Sequence, residues 1–310
     1  MPSPNALACP ASLKGVLSNV AAADALVEGF AQAGVDAAPL PVADGGDGTI
    51  AALCGEVGHF DVRDAFGRAR SALVGRCDDA MVVEAAQVLP LDPARLDPLN
   101  ASSRGLGELL GSLCAPRLIV GLGGTATMDG GLGLLDVLEE LPAPTTVLCD
   151  VQTTYYDAPR AFGPQKGAEP AVVEELERRF RAAERLAPLA GLPGSGAAGG
   201  LGAALAALGA VLVPGAPAIL ELLGFEPSRY DLVVTGEGRV DATTGEGKAP
   251  AVVAERCADA GVACVVFGGV VVRRVERAET IALSGVPANA SRDLVELGTR
   301  LGARLLDAAG

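Results

Sequence analysis

Three apolar, strand-like runs in this chain end in glycine-rich loops, and a fourth glycine-rich stretch opens a Gly/Ala helix. VADGGDGT (residues 42–49) and GLGGTATMDGG (residues 121–131) each follow such a run and precede a helical pattern. GSGAAGGLGAAL (residues 194–205) begins the Gly/Ala helix, and TGEGRVDATTGEGK (residues 235–248) leaves the run DLVV. A strand that passes through glycines into a helix aims free backbone N–H groups, and the positive end of the helix dipole, at whatever lies beyond the strand. That arrangement belongs to α/β folds whose sites sit at strand ends. Half the residues are apolar, 3% are aromatic and 41 are glycine, so the core must consist of Ala, Val and Leu with closely approaching backbones.

At 310 residues the chain exceeds the usual size of a single core. Residues 7–9 and 37–42 read as strands around a helix over 20–33, a compact βαβ-like opening. Residues 60–63, 71–76 and 81–85 read as short strands separated by FGRAR and CDDA, which suits an antiparallel meander. Helices over 103–113 and 130–140 flank a strand at 117–121, a further strand covers 146–150, and 171–186 is a charged surface helix. From Tyr230 the parallel style returns, with DLVVTGEG, a helix over 250–260, ACVVFGG, a strand at 280–283 and a C-terminal helix. The expected fold class is α/β in two domains. Residues 1–58 and 229–310 form a discontinuous flavodoxin-like (Rossmann-like) parallel-sheet domain, residues 59–228 form an inserted mixed α/β domain, and the site lies in a cleft between them.

The net charge of −14 disfavours nucleic acid or an anionic membrane as partner, since both require a basic face. An anionic substrate must then be held by local groups. The seven cysteines are odd in number and never in a CxxC pair, which is neither a disulfide framework nor a zinc cluster and suits a reducing cytoplasm. The first residues lack the basic and apolar regions of a signal peptide. Residues 194–220 carry no charge over a membrane-spanning length, but they are mostly Gly and Ala and are broken by Pro214 and Pro217. The lone histidine, His59, reads as structural and removes Ser-His and Cys-His nucleophile schemes.

Lysine gives the sharpest signal. Of 24 basic residues only Lys14, Lys166 and Lys248 are lysines, and each stands beside a glycine, in LKG, QKG and GKA. A compact ammonium on a flexible stem next to a close-approaching backbone suits phosphate. Asp44 and Asp47 lie in the first loop, and Glu237, Asp241 and Thr244 accompany Lys248 in the fourth. Together they suggest a polyphosphate with Mg²⁺. Phosphoryl transfer to a hydroxyl needs positioning and charge neutralisation more than a strong base, so an aspartate among Asp44, Asp129, Asp150 and Asp241 can serve. A second chemistry fits the same loops. Gly121, Gly123 and Ala126 match GxGxxA after a strand, with Asp150 ending the next one, a fingerprint for an NAD(P)-dependent dehydrogenase.

LKG, VADGGDGT, GLGGTATMDGG, CDV (residues 149–151), FGPQKGA (residues 162–168), GSGAAGGLGA and TGEGRVD followed by GK resemble, in this order, the motifs of the type I glycerate kinase family. The match runs over about residues 9–269. The resemblance implies a two-domain enzyme that uses ATP and Mg²⁺ to phosphorylate glycerate, D-glycerate at the 2-hydroxyl, or a close small 2-hydroxy acid. It implies catalytic roles for Lys14, Asp44, Lys166 and Lys248. Substrate or phosphate contacts are expected from Ser12, Gly45, Gly46, Gly123, Gly124, Thr125, Asp129, Gln165, Gly196, Gly199, Gly236 and Thr244, and Asp150, Glu237 and Asp241, acids at strand ends facing the cleft, are the candidates for the metal. A cytoplasmic enzyme is expected, with a small-molecule partner and a homodimer allowed. The chain departs from the family pattern at Ala11, which replaces an acid, at Met128, which replaces Asn, at Gln152–Thr154 and Thr243, and in a connection about forty residues shorter before CDV. These changes predict weaker discrimination by hydroxyl pattern, or a protein that binds nucleotide or metabolite without turnover.

Overall fold

The computed structural model describes residues 3–309. The chain opens with β1 (Asn5–Ala8), α1 (Asn19–Gln32) and β2 (Asp36–Pro39). Next come α2 (Thr49–Leu53), β3 (Glu56–Arg63), β4 (Ala69–Cys77), β5 (Ala80–Glu84), α3 (Ala85–Val88), α4 (Arg104–Ser112), β6 (Arg117–Gly121), α5 (Leu132–Leu135) and β7 (Thr145–Cys149). They are followed by α6 (Ala158–Phe162), α7 (Pro170–Ala182), α8 (Ala197–Ala207), β8 (Val211–Pro214) and α9 (Gly215–Leu222). The chain closes with β9 (Leu232–Val240), α10 (Ala249–Asp259), β10 (Ala263–Val271), β11 (Glu279–Ala282) and α11 (Ala290–Ala309).

Two compact units result, residues 1–43 with 219–310, and residues 44–218. These divisions fall at 43/44 and 218/219, where 58/59 and 228/229 had been expected. Residues 44–58 go with the middle unit because β3 already begins at Glu56 and pairs along β4.

The first unit carries the sheet β11-β10-β9-β1-β2, with every neighbouring pair parallel. Renumbered within the unit this is the order 2-1-3-4-5, the doubly wound, flavodoxin-like arrangement whose switch point lies between β1 and β9. Its inner strands β1, β9 and β10 carry consecutive buried residues, which explains the uninterrupted apolar runs LVV and CVVF. Leu26 and Phe30 of α1 and Leu294, Leu297 and Leu301 of α11 cover one face, packing on Ala6, Ala8, Val234, Val265 and Phe267. Each such Leu or Phe contributes roughly 1.5–3 kcal/mol by burial. Gly29 of α1 lets the helices touch, since a Cβ there would stand 2.1 Å from the Val295 carbonyl of α11.

The second unit carries the mixed sheet β3-β4-β5-β6-β7-β8. The expected meander is the antiparallel β3-β4-β5 edge, and from β5 to β8 the pairs are parallel. Two readings need correction. The helix expected over 130–140 is only Leu132–Leu135, because Gly130 and Gly131 enter it at φ +68° and +75°. Among the described residues one disulfide is present, Cys54–Cys77 with Cα atoms 5.0 Å apart, tying the end of α2 to the end of β4. Its partners are 23 residues apart in sequence and become neighbours only through the sheet. Cys9, Cys114, Cys149, Cys257 and Cys264 are free. Among the described residues no helix is long and apolar enough to cross a membrane.

Candidate active site

In the first unit the carboxyl ends of β1 and β9 meet at the switch point. Their pairing continues past β1, with Cys9 N donating to Val234 O (2.7 Å) and Ala11 N to Gly236 O (2.9 Å). Ser12 is buried there, whereas Lys14 projects into solvent from the turn that Leu13 N closes on Leu17 O. A Cβ on Gly236 would stand 2.3 Å from Phe267 O, so this glycine serves the packing of β9 on β10. Beyond it, Glu237 accepts from Thr244 Oγ1 (2.7 Å) and faces Lys248 Nζ at 3.6 Å. Thr244 Oγ1 in turn accepts from Asp241 N (3.1 Å). Asp241 Oδ1 accepts from both N and Oγ1 of Thr243, and Oδ2 pairs with Arg239. The Thr243 hydrogen bonds foremost, with Arg239 and Lys248 adding, hold the Asp241 carboxyl below the usual range. Lys248 occupies the N-cap of α10 with Pro250 just inside the helix.

In the second unit the loop over residues 44–48 runs across the ends of β6 and β7. Gly121 and Gly123 make this crossing sterically feasible. A Cβ on Gly121 would lie 2.4 Å from Gly45 O, and one on Gly123 would lie 2.6 Å from Gly46 Cα and 3.1 Å from Asp150 Oδ2. Gly123 N donates to Gly45 O (3.1 Å), and Asp44 Oδ1 accepts from Gly46 N (3.3 Å). Asp44, Gly45, Gly46, Gly123 and Asp150 are thereby gathered at one edge of the sheet. This contact also removes the dinucleotide reading. The glycines that would admit a pyrophosphate admit the 44–46 backbone instead.

Lys166 lies deeper, at 4% exposure, with Nζ donating to Thr127 O (2.9 Å). Burial brings its ammonium down to about 8, against the attraction of Asp150 and Asp129. The Thr127 carbonyl is set by the turn that starts α8. Ala198, Gly199 and Gly200 all have left-handed φ (52°, 69° and 96°), so the Gly/Ala helix expected from residue 194 is regular only after Gly200. A Cβ on Gly199 would meet Thr127 O at 2.0 Å, and one on Gly196 would meet Thr154 O at 2.3 Å. Gly124 lies beside the buried Thr125, whose Oγ1 has no hydrogen-bond partner among the described residues. Gln165 is exposed.

Several expectations change. Asp129 was expected on substrate. Its oxygens are instead filled by four donors, Ser103 N and Oγ, Gly131 N and Gly133 N, at 2.7–3.2 Å. Burial raises its pKa against these bonds, and its position makes it a cap for the surrounding turns. Met128 is fully buried with Tyr155, Leu176 and Phe180, so it is a core residue and does not stand in for a polar contact. Among the described residues no three His, Cys, Asp or Glu side chains gather as metal ligands. Asp150 belongs to one unit and Glu237 and Asp241 to the other.

The sequence reading missed Glu84. This buried acid at the end of β5 accepts from Ile50 N (2.8 Å) and so anchors α2 behind the 44–48 loop, and burial raises its pKa. Its signal was an acid closing the apolar run MVVE.

Comparison with known proteins gives a consistent family. The profile described as the Glycerate kinase family matches residues 6–143 and 139–294. The chain is 35% identical over 291 residues to the glycerate 2-kinase of Escherichia coli (strain K12), covering 75% of this chain and 76% of that protein. It is 33% identical over 295 residues to the glycerate kinase of Bacillus subtilis (strain 168), covering 76% and 77%. Among solved structures, a candidate glycerate kinase 2 from Salmonella typhimurium LT2 superposes with a TM-score of 0.81 at 29% identity over 99% of both chains.

Proposed function

Because the chain belongs to the glycerate kinase family, we propose that it transfers the γ-phosphoryl group of ATP to the 2-hydroxyl of D-glycerate or a close small 2-hydroxy acid in the cytoplasm. In that reaction the hydroxyl oxygen forms a bond to the γ-phosphorus, the bridging β–γ P–O bond breaks, ADP leaves, and the hydroxyl proton passes to a carboxylate. Positioning and charge neutralisation carry most of such a transfer. The observation that supports the reading best is Lys166, a cation enclosed in a protein of net charge −14, fixed by one backbone carbonyl and drawn toward Asp150. A buried ammonium is costly unless it serves an anion.

Lys166, Lys14 and Lys248 supply positive charge to phosphate and carboxylate oxygens. The N–H groups of the 44–48 and 121–125 loops add neutral donors, Asp44 accepts the proton, and the unmatched Thr125 hydroxyl is available to the acceptor. Mg²⁺ riding on phosphates needs one or two carboxylates. Within the second unit Asp150, which directly follows β7, would serve as such a carboxylate, and within the first unit Glu237 would be the candidate, while Asp241 has both oxygens engaged by Thr243 and Arg239. When bound, the ion neutralises β- and γ-phosphate charge.

Removing one charge clamp from a developing transition state commonly costs a few kcal/mol. Lys248→Ala is expected to lower kcat at least about a hundredfold with the melting temperature preserved. A folded variant with near-normal ATP-dependent turnover removes Lys248 from the mechanism. ATP binding with no ADP formed when any small 2-hydroxy acid is offered as acceptor would favour a protein that binds without turnover.

A further inference from the structure

An apolar slot of about 100 Å³ opens in the first unit at the carboxyl edge of its parallel sheet. Residues after β1, from β9 and β10, and after β11 line it, so it adjoins the switch point between β1 and β9, where doubly wound sheets bind ligands. Its rim is made of Val16, Val270 and Val286, which are 42%, 44% and 49% exposed. Single exposed valines need no explanation; here three converge on one concavity.

The floor is peptide backbone. Gly238 and Gly269 carry no side chain into the slot, and a Cβ on Gly269 would stand 2.7 Å from Gly238 O. A flat ring can therefore lie against it between valine walls. Pockets for whole drug-sized ligands run to roughly 300–1,000 Å³, so a slot this small takes one part of a ligand and leaves the rest outside. One polar group lines it. Asp293 Oδ2 accepts from Ser284 N (3.1 Å) and Oγ, and Oδ1 accepts no hydrogen bond from the described residues. That oxygen suits an exocyclic amino group.

What lies next to the slot fixes the rest of the ligand. Leu13 and Val16 bracket Lys14 in one turn, and a Cβ on Gly238 would lie 3.6 Å from Lys14 N. Gly238 also follows Glu237, the partner of Lys248. We propose that the slot holds the adenine ring of the donor nucleotide, its amino group toward Asp293 and its phosphates toward Lys14. The assignment rests on ATP being the phosphoryl donor.

The test fills the slot from two sides. Val286→Phe enlarges the rim at an exposed position, and Gly238→Val fills the floor, where a Cβ meets Leu13 Cα at an ordinary 3.4 Å. In both, the Kd for ATP measured by calorimetry, and the KM for ATP, should rise at least about tenfold. The KM for glycerate should stay within about twofold, because only the base is displaced. ATP affinity unchanged in both variants, each melting like the parent, overturns the slot and leaves the kinase reading standing. Parent protein that binds ATP through the slot but phosphorylates no hydroxy acid overturns the kinase reading and upholds the slot. Parent protein that binds no adenine nucleotide overturns both.

Discussion

Lys166 puts chemistry and stability in opposition. Burial lowers its pKa from 10.5 to about 8, so between those values the unfolded chain carries a proton that the folded protein has released. Stability therefore rises with pH across roughly pH 8 to 10.5 on account of this group, and below about pH 8 the folded protein bears the full cost of the buried charge, about 3 kcal/mol. Activity should run the other way. If the cation is what serves the reaction, kcat/KM falls as pH rises through about 8, since that ratio reports the free enzyme. A profile flat from pH 7 to 9.5 would remove the charge of Lys166 from the rate. At this scale the sequence was readable where chemistry is scarce. Three lysines, each beside a glycine, stood out among 24 basic residues. Asp129 and Met128 were misplaced because a motif gives the spacing of side chains but not their direction, and these two point at backbone donors and at the core.

The start of α8 shows how an element holds a residue it does not contain. Its left-handed turn presses Gly199 against Thr127 O, the atom that Lys166 Nζ binds. Gly199→Ala should therefore cost more than the roughly 1–2 kcal/mol of placing a side chain at positive φ, because the new Cβ displaces the carbonyl. A loss of several kcal/mol is expected in urea denaturation, accompanied by a fall in turnover. A variant as stable as the parent would mean that the turn relaxes freely. Ala198, at φ 52°, already adopts this conformation without glycine, so Ala198→Gly should be neutral or stabilising in the same assay. The turn was not legible beforehand. Residues 194–210 are Gly- and Ala-rich, so they offer neither a helical nor a strand period, and the four-residue β8 is too short to show one. The Cys54–Cys77 disulfide escaped notice because only sheet pairing brings its partners together.

For the whole molecule, the pattern of elements was more legible than the limits of the units. Apolar parallel runs at both ends of the sequence announced one sheet, and the strand order β2-β1-β9-β10-β11 joins them around the interruption. The FGRAR and CDDA turns announced the meander edge of the other sheet. In sequence the 44–48 loop looks like a continuation of the opening βαβ pattern, whereas its glycines pack on Gly121 and Gly123 of the middle unit. The central claim is transfer from ATP to a 2-hydroxy acid, in a protein whose net charge of −14 repels both substrates and leaves binding to local cations. The most direct measurement follows the phosphorus in a mixture of the protein, ATP·Mg²⁺ and D-glycerate by ³¹P NMR. The account predicts equal amounts of ADP and of a phosphate ester on the 2-hydroxyl. Ester on the 3-hydroxyl would contradict the assigned position, and ATP left intact with D-glycerate and every other small 2-hydroxy acid would contradict the account itself.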